Sequence, residues 1–113
     1  MGRYFKASEF VMGDVNVYDK MDKKFLAKLE RLRKSVGSPL VLTSTYRTPE
    51  YNTAIGGVNG SYHTKGIAAD IRCSDGILRA KIVKNALRLG LTVGVYKTFI
   101  HVDDRLVQII FTG

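Results

Sequence analysis

With 113 residues, 45% of them hydrophobic and 25% charged, the chain is expected to form a single globular domain over 1–113 with a real core. It carries no run of 18 apolar residues, so no transmembrane segment is expected, and its opening stretch MGRYFKASEFVMG lacks the apolar core of a secretory signal. A formal net charge of +8 favours a polyanionic partner, whether nucleic acid, an anionic membrane or an anionic cell wall, without choosing among them.

MGRYFK begins like an N-myristoylation site, but Lys6 stands where Ser or Thr is required, which argues against one. The first helix is read from DKMDKKFLAKLERLRKSVG. Met21, Phe25, Leu29, Leu32 and Val36 recur at helical spacing, Asp19 is the expected cap, and Gly37 before Ser38-Pro39 is the expected stop. Its lysines and arginines lie mostly on the other face and read as a solvated surface, because no aromatic or glycine interleaving accompanies them. A β-rich run, LVLTSTY (40–46), follows. A short helix is then expected from the cap Thr48 and Pro49, ending at Gly56-Gly57.

IAADIRC (67–73) reads as a strand, and its lone Cys73 as a small buried side chain of a chain made in a reducing compartment. SDGILRAKIVKNALRLG gives a second long helix, with Ser74 as expected cap, a stripe of Leu78, Ile82, Ala86 and Leu89, and Gly90 as terminator. LTVGVY (91–96), FIHVD (99–103) and LVQIIF (106–111) are short strands read as an antiparallel meander. Helices first and a meander last imply an α+β fold, a small antiparallel sheet with helices packed on one side.

Both histidines sit in strand contexts with one apolar and one polar face. Alternation puts Gly66, Ala68 and Asp70 on one face of the 67–73 strand, so a carboxylate shares its face with the two smallest side chains. In FIHVDD, Ile100 and Val102 point one way, His101 and Asp103 the other. His63 precedes the Lys65-Gly66 turn and can fold back towards Asp70. If the strands holding Asp70 and His101 pair, then His63, Asp70 and His101 converge. Two neutral imidazoles and a carboxylate make a three-ligand zinc site with an open position, suited to activating water and polarising an amide carbonyl.

SYHTKGIAADI resembles the Ser-x-His-x-x-Gly-x-Ala-x-Asp signature of the M15 zinc peptidases, the D-Ala-D-Ala carboxypeptidase and peptidoglycan endopeptidase group. FIHVD is similar to the later block of that group, and STYRTPEYNTAIGGV to its Ser-x-Tyr-Arg-Thr-x-x-x-Asn segment; together these cover residues 40 to 103 in the expected order. The resemblance implies a fold of the hedgehog/DD-peptidase type and zinc held by His63, Asp70 and His101. It also implies that Arg47 lies near the site, where its charged fork binds the substrate carboxylate or stabilises the developing oxyanion. The alternative for Arg47 is an anchor of the RTPEYN turn through backbone carbonyls.

Many members of the group carry an acidic residue three before the third ligand, as general base; here that position is Thr98. Asp103 is then the candidate for base, or else a partner that orients His101. Ser61 is expected to donate a hydrogen bond within its loop, Tyr96 to line the mouth of the site or sit in the core, and Asp104 to be a solvated hairpin residue. The function expected is zinc-dependent hydrolysis of a peptide bond in peptidoglycan stem peptides, by a monomer made in the cytoplasm and acting at an anionic cell wall, as in a phage lysis enzyme or a virion. The alternative is a zinc-holding domain of the same fold that has lost catalysis and binds wall peptide or a protein partner. A nucleic-acid-binding role explains the charge but uses neither histidine block, so no specific nucleic acid is expected.

Overall fold

The computed structural model describes residues 4–113, and the first three residues of MGRYFK lie outside them. After a 3-10 turn, Ala7–Glu9, comes a hairpin of β1 (Val11–Met12) and β2 (Val15–Asn16). Two-residue strands have no period for sequence reasoning to find. Helix α1 (Lys23–Val36) buries Phe25, Leu29, Leu32 and Val36, and ends at Gly37 with φ 76°. Its cap is Asp22 and not Asp19: the Asp22 carboxylate accepts from the Phe25 N–H at 2.8 Å. Asp19 lies in a separate 3-10 turn, Tyr18–Lys20. The later start has a tertiary cause, because the Asp22 N–H donates to the carbonyl of Gly66 at 2.9 Å and so ties this segment to the loop that carries His63.

The remaining elements are β3 (Leu42–Ser44), α2 (Pro49–Ala54), β4 (Ala68–Arg72), α3 (Gly76–Arg88), β5 (Thr92–Val95), β6 (Phe99–Asp103) and β7 (Ile110–Thr112). Thr48 caps α2, with its hydroxyl accepting from the Tyr51 N–H, and Pro49 occupies its first turn. Helix α3 is capped by Asp75 instead of Ser74, the Asp75 carboxylate accepting from the Leu78 N–H at 2.7 Å. Its stripe is as read, with Ile82 and Ala86 buried and Leu78 and Leu89 packed at the margin.

Five strands form one sheet in the order β3-β4-β6-β5-β7. All neighbours are antiparallel except β5 and β7, which run parallel. The last strand therefore does not complete a meander. Both edges of β6 are already taken, by β4 and β5, so the chain after β6 has to pass beyond β5. The Gln108 side chain pins that passage by donating to the carbonyls of Leu87 and Leu91, each at 2.9 Å.

The two faces of the sheet divide the labour. Ala69 and Ile71 of β4, Ile100 and Val102 of β6 and Val93 of β5 join the buried side chains of α1 and α3 in one apolar cluster. With period-two alternation, Ala68, Asp70, Gly94, His101 and Asp103 fall on the opposite face. The fold is thus α+β, with the long helices on one side of the sheet. Among the described residues, no helix is long and apolar enough to cross a membrane.

Candidate metal centre and active-site cleft

Asp70 and His101 are direct cross-strand partners in the β4–β6 register, which puts their side chains side by side on the open face. His63 reaches them from a 3-10 turn, Tyr62–Lys65. Ser61 caps that turn by accepting from the His63 N–H at 3.2 Å, so its hydroxyl acts as acceptor there and not as donor. Gly66, at φ 72°, ends it and returns the chain into β4. No side chain fits at Gly66, since a Cβ would run into the carbonyl oxygen of Lys20. The bulge between Leu42 and Ser44 sets Ser44 opposite Asp70.

In the neutral tautomers selected by their other ring nitrogens, both imidazoles present a lone pair to the same carboxylate oxygen. His63 Nδ1 lies 2.7 Å from the Thr45 carbonyl, which can only accept, so Nδ1 carries the hydrogen and Nε2 points at Asp70 Oδ1 at 3.2 Å. His101 Nε2 lies 2.7 Å from Asp103 Oδ2, so Nε2 carries the hydrogen and Nδ1 points at Asp70 Oδ1 at 3.0 Å. Three acceptor atoms converge, an arrangement that a cation satisfies. A tetrahedral zinc ion with bonds of about 2.0–2.1 Å spaces its ligand atoms about 3.3 Å apart; the two spacings to Asp70 Oδ1 lie within a few tenths of that, and all three ligand atoms lie within 4.8 Å of one another. His63, Asp70 and His101 are all buried and form a group that could hold a metal ion.

Charges are organised around this point. When the facing ring nitrogens carry protons in place of a cation, burial still pushes the Asp70 carboxyl upward, but hydrogen bonds from His101 and His63 outweigh it and hold the group well below the usual carboxylate range. Burial lowers His101, and the hydrogen bonds to Asp103 and Asp70 overcome that and raise it. Asp103, with no exposed surface, is brought down to about 2 against its own burial by hydrogen bonds from Arg105 and His101.

Arg47 spreads its fork over three side chains. Nε donates to Ser44 Oγ at 3.0 Å, Nη1 to Asn52 Oδ1 at 3.1 Å and Nη2 to Asp70 Oδ2 at 3.3 Å. Among the described residues its side chain donates to no backbone carbonyl, unlike the turn-anchor alternative. Asn52 is buried and is itself oriented by donating to the Val58 carbonyl at 2.8 Å. Arg47, His63, Asp70 and His101 line a cleft of about 580 Å³. Tyr62, Tyr96, Phe99 and Phe111 are among its walls, with Tyr96 stacked on Phe99 at 4.3 Å between ring centroids. Tyr96 therefore lines the cleft.

Asp103 does not line that cleft. Its Oδ1 accepts from the backbone N–H and Nε of Arg105, at 3.0 and 2.9 Å, and its Oδ2 from Arg105 Nη2 at 2.6 Å as well as from His101. Thr98 lies exposed in the β5–β6 turn, outside the cleft lining. Asp104 is half-buried in an ion pair with Lys28 of α1 at 2.7 Å and is not a free hairpin residue. Sequence reasoning passed over Arg105, Asn52 and Thr45. For Arg105 a signal existed, because strand alternation continued past Asp103 places it beside that carboxylate, whereas the Thr45 carbonyl leaves no trace in side-chain type.

No curated protein matches the chain. The peptidase M15 family profile matches residues 3–103, which span every side chain of this centre up to Asp103. The chain belongs to the peptidase M15 family.

Proposed function

We propose that the protein is a zinc-dependent peptidase that hydrolyses a peptide bond in peptidoglycan stem peptides at the cell wall. The observation that carries this reading is the convergence of His63 Nε2, His101 Nδ1 and Asp70 Oδ1 at the floor of a cleft also lined by Arg47. Family membership supports peptidase chemistry in general; the metal, the substrate and the residue roles are the proposal. When bound, zinc supplies Lewis-acid polarisation of the scissile carbonyl and a nucleophile from water at near-neutral pH.

The chain's own residues do the rest. The Thr45 carbonyl and the Asp103 carboxylate fix the two imidazole tautomers, so that the ring nitrogens facing Asp70 remain acceptors. Asp103 serves as the partner that orients His101, since both its oxygens are engaged and it has no surface in the cleft. Arg47 offers a fixed charge to a substrate carboxylate or to the oxyanion that develops during attack. The aromatic walls exclude water and hold the apolar parts of a short peptide.

One observation favours a second reading. Among the described residues, Asp70 is the only carboxylate lining the cleft, so no separate acidic base faces a substrate there. A zinc-holding domain that binds wall peptide without cutting it fits that feature. Incubation of purified muropeptides with the zinc-loaded protein, followed by mass spectrometry, decides between them. A defined mass loss that a chelator abolishes is expected, and it would identify the bond. Intact muropeptides across several wall chemotypes, from folded and zinc-loaded protein, would instead establish the binding role.

A further inference from the structure

We propose that Arg105 is a positioning residue of the metal centre, and that its guanidinium couples the two separate segments that carry the histidine ligands. The inference rests on the reading of His63, Asp70 and His101 as metal ligands. Arg105 itself lies beyond the family match, which ends at residue 103.

One edge of the guanidinium forks onto Asp103, with Nε–Oδ1 at 2.9 Å and Nη2–Oδ2 at 2.6 Å, and Asp103 in turn holds His101 Nε2 at 2.7 Å. The guanidinium carbon of the same group lies over the ring of Tyr62, 4.4 Å from its centroid, and Tyr62 immediately precedes His63 in the 3-10 turn. The Phe111 ring, 5.6 Å away, flanks it on β7. A single side chain therefore bears on His101 through a carboxylate and on the His63 segment through an aromatic face.

The physical case has two parts. A carboxylate behind a ligating imidazole fixes its ring plane and raises its basicity, but only while it stays ionised and in place. Asp103 has no exposed surface, so without a cation beside it the buried charge would be unpaired. Arg105 meets both of its oxygens in one plane, which a lysine ammonium cannot reproduce. The cation–ring contact with Tyr62 then limits the freedom of a turn that the sheet ladder does not hold.

Zinc and cobalt(II) titrations of the metal-free full chain test this, with melting temperatures recorded for each variant. Arg105→Lys is expected to weaken zinc binding about 10- to 100-fold, the range for loss of such an outer partner, and to alter the visible absorption of the cobalt(II) form. Tyr62→Leu should weaken it too, while Tyr62→Phe, which keeps the ring face, should restore wild-type affinity. Should Arg105→Lys fail to fold, the Tyr62 pair decides the question: weaker binding for Leu alone supports the coupling, and equal affinities overturn it. Wild-type zinc affinity and an unchanged cobalt spectrum in Arg105→Lys, with only the melting temperature reduced, would make Arg105 structural and overturn the inference alone. Zinc binding by the wild type no tighter than by His63→Ala would overturn the metal reading and this inference with it.

Discussion

The Arg47 side chain ties three separate segments to the site. Its three donor nitrogens reach Ser44 next to the bulge, Asn52 on α2 and Asp70 on β4, while its backbone N–H donates to the His63 carbonyl at 3.1 Å. The guanidinium is thereby held in place beside the proposed metal ligands, which is the condition for stabilising charge without reorganisation in the proposed reaction. Arg47→Lys keeps the positive charge but cannot hold three diverging acceptors. It is expected to reduce kcat/KM on a cleavable muropeptide by about 10²-fold or more, the scale for loss of one oxyanion donor, while shifting the melting temperature by only a few degrees. Losses of activity and melting temperature that run in proportion would show that Arg47 acts as scaffold.

Gly66 shows how elements are fitted to the centre. It ends the turn that presents His63, sits against the Lys20 carbonyl, and accepts from the Asp22 N–H through its own carbonyl. Gly66→Ala puts a methyl group at positive φ and against backbone that cannot yield. The expected cost is about 1–3 kcal/mol from strain alone, with zinc affinity falling as the turn shifts. A variant with unchanged melting temperature and unchanged zinc affinity would mean that the turn and α1 are not coupled. This junction also marks where the sequence could be read and where it could not. The alternation in GIAADI and FIHVD, period two with a polar face, put Asp70 and His101 each on a polar face, but that the two strands pair stood as a condition and comes from the β4–β6 register. The helical stripes likewise placed α1 and α3. The start of α1 was misplaced because Asp19 and Asp22 are equally good caps by residue type, and only the contact with Gly66, far along the chain, selects Asp22. The parallel placement of β7 escaped for a similar reason: LVQIIF has strand character, but its neighbour is decided by which edges of β6 are already filled.

At the scale of the molecule, part of the positive charge lies on the side away from the cleft, although Arg47 and Arg105 line the cleft itself. Helix α1 packs against the sheet face opposite the ligand cluster and exposes Lys24, Arg31 and Lys34 outward. These account for part of the net charge of +8, and Lys28 is instead spent on Asp104. An anionic wall polymer could be met by that helix face without covering the cleft. The attraction acts over roughly one Debye length, about 10 Å at 0.1 M salt and about 3 Å at 1 M. Retention on purified wall sacculi is therefore expected to fall steeply between those salt concentrations. Cleavage of a small soluble muropeptide, whose contacts lie inside the cleft, should change far less. The triple variant Lys24→Glu, Arg31→Glu, Lys34→Glu should reproduce the high-salt behaviour at low salt: weak wall retention with soluble turnover intact. If soluble turnover fell in step with retention, the basic helix would be acting on the cleft itself. If retention survived both salt and the triple variant, the wall would be recognised through peptide contacts in the cleft and the net charge would have no part in it.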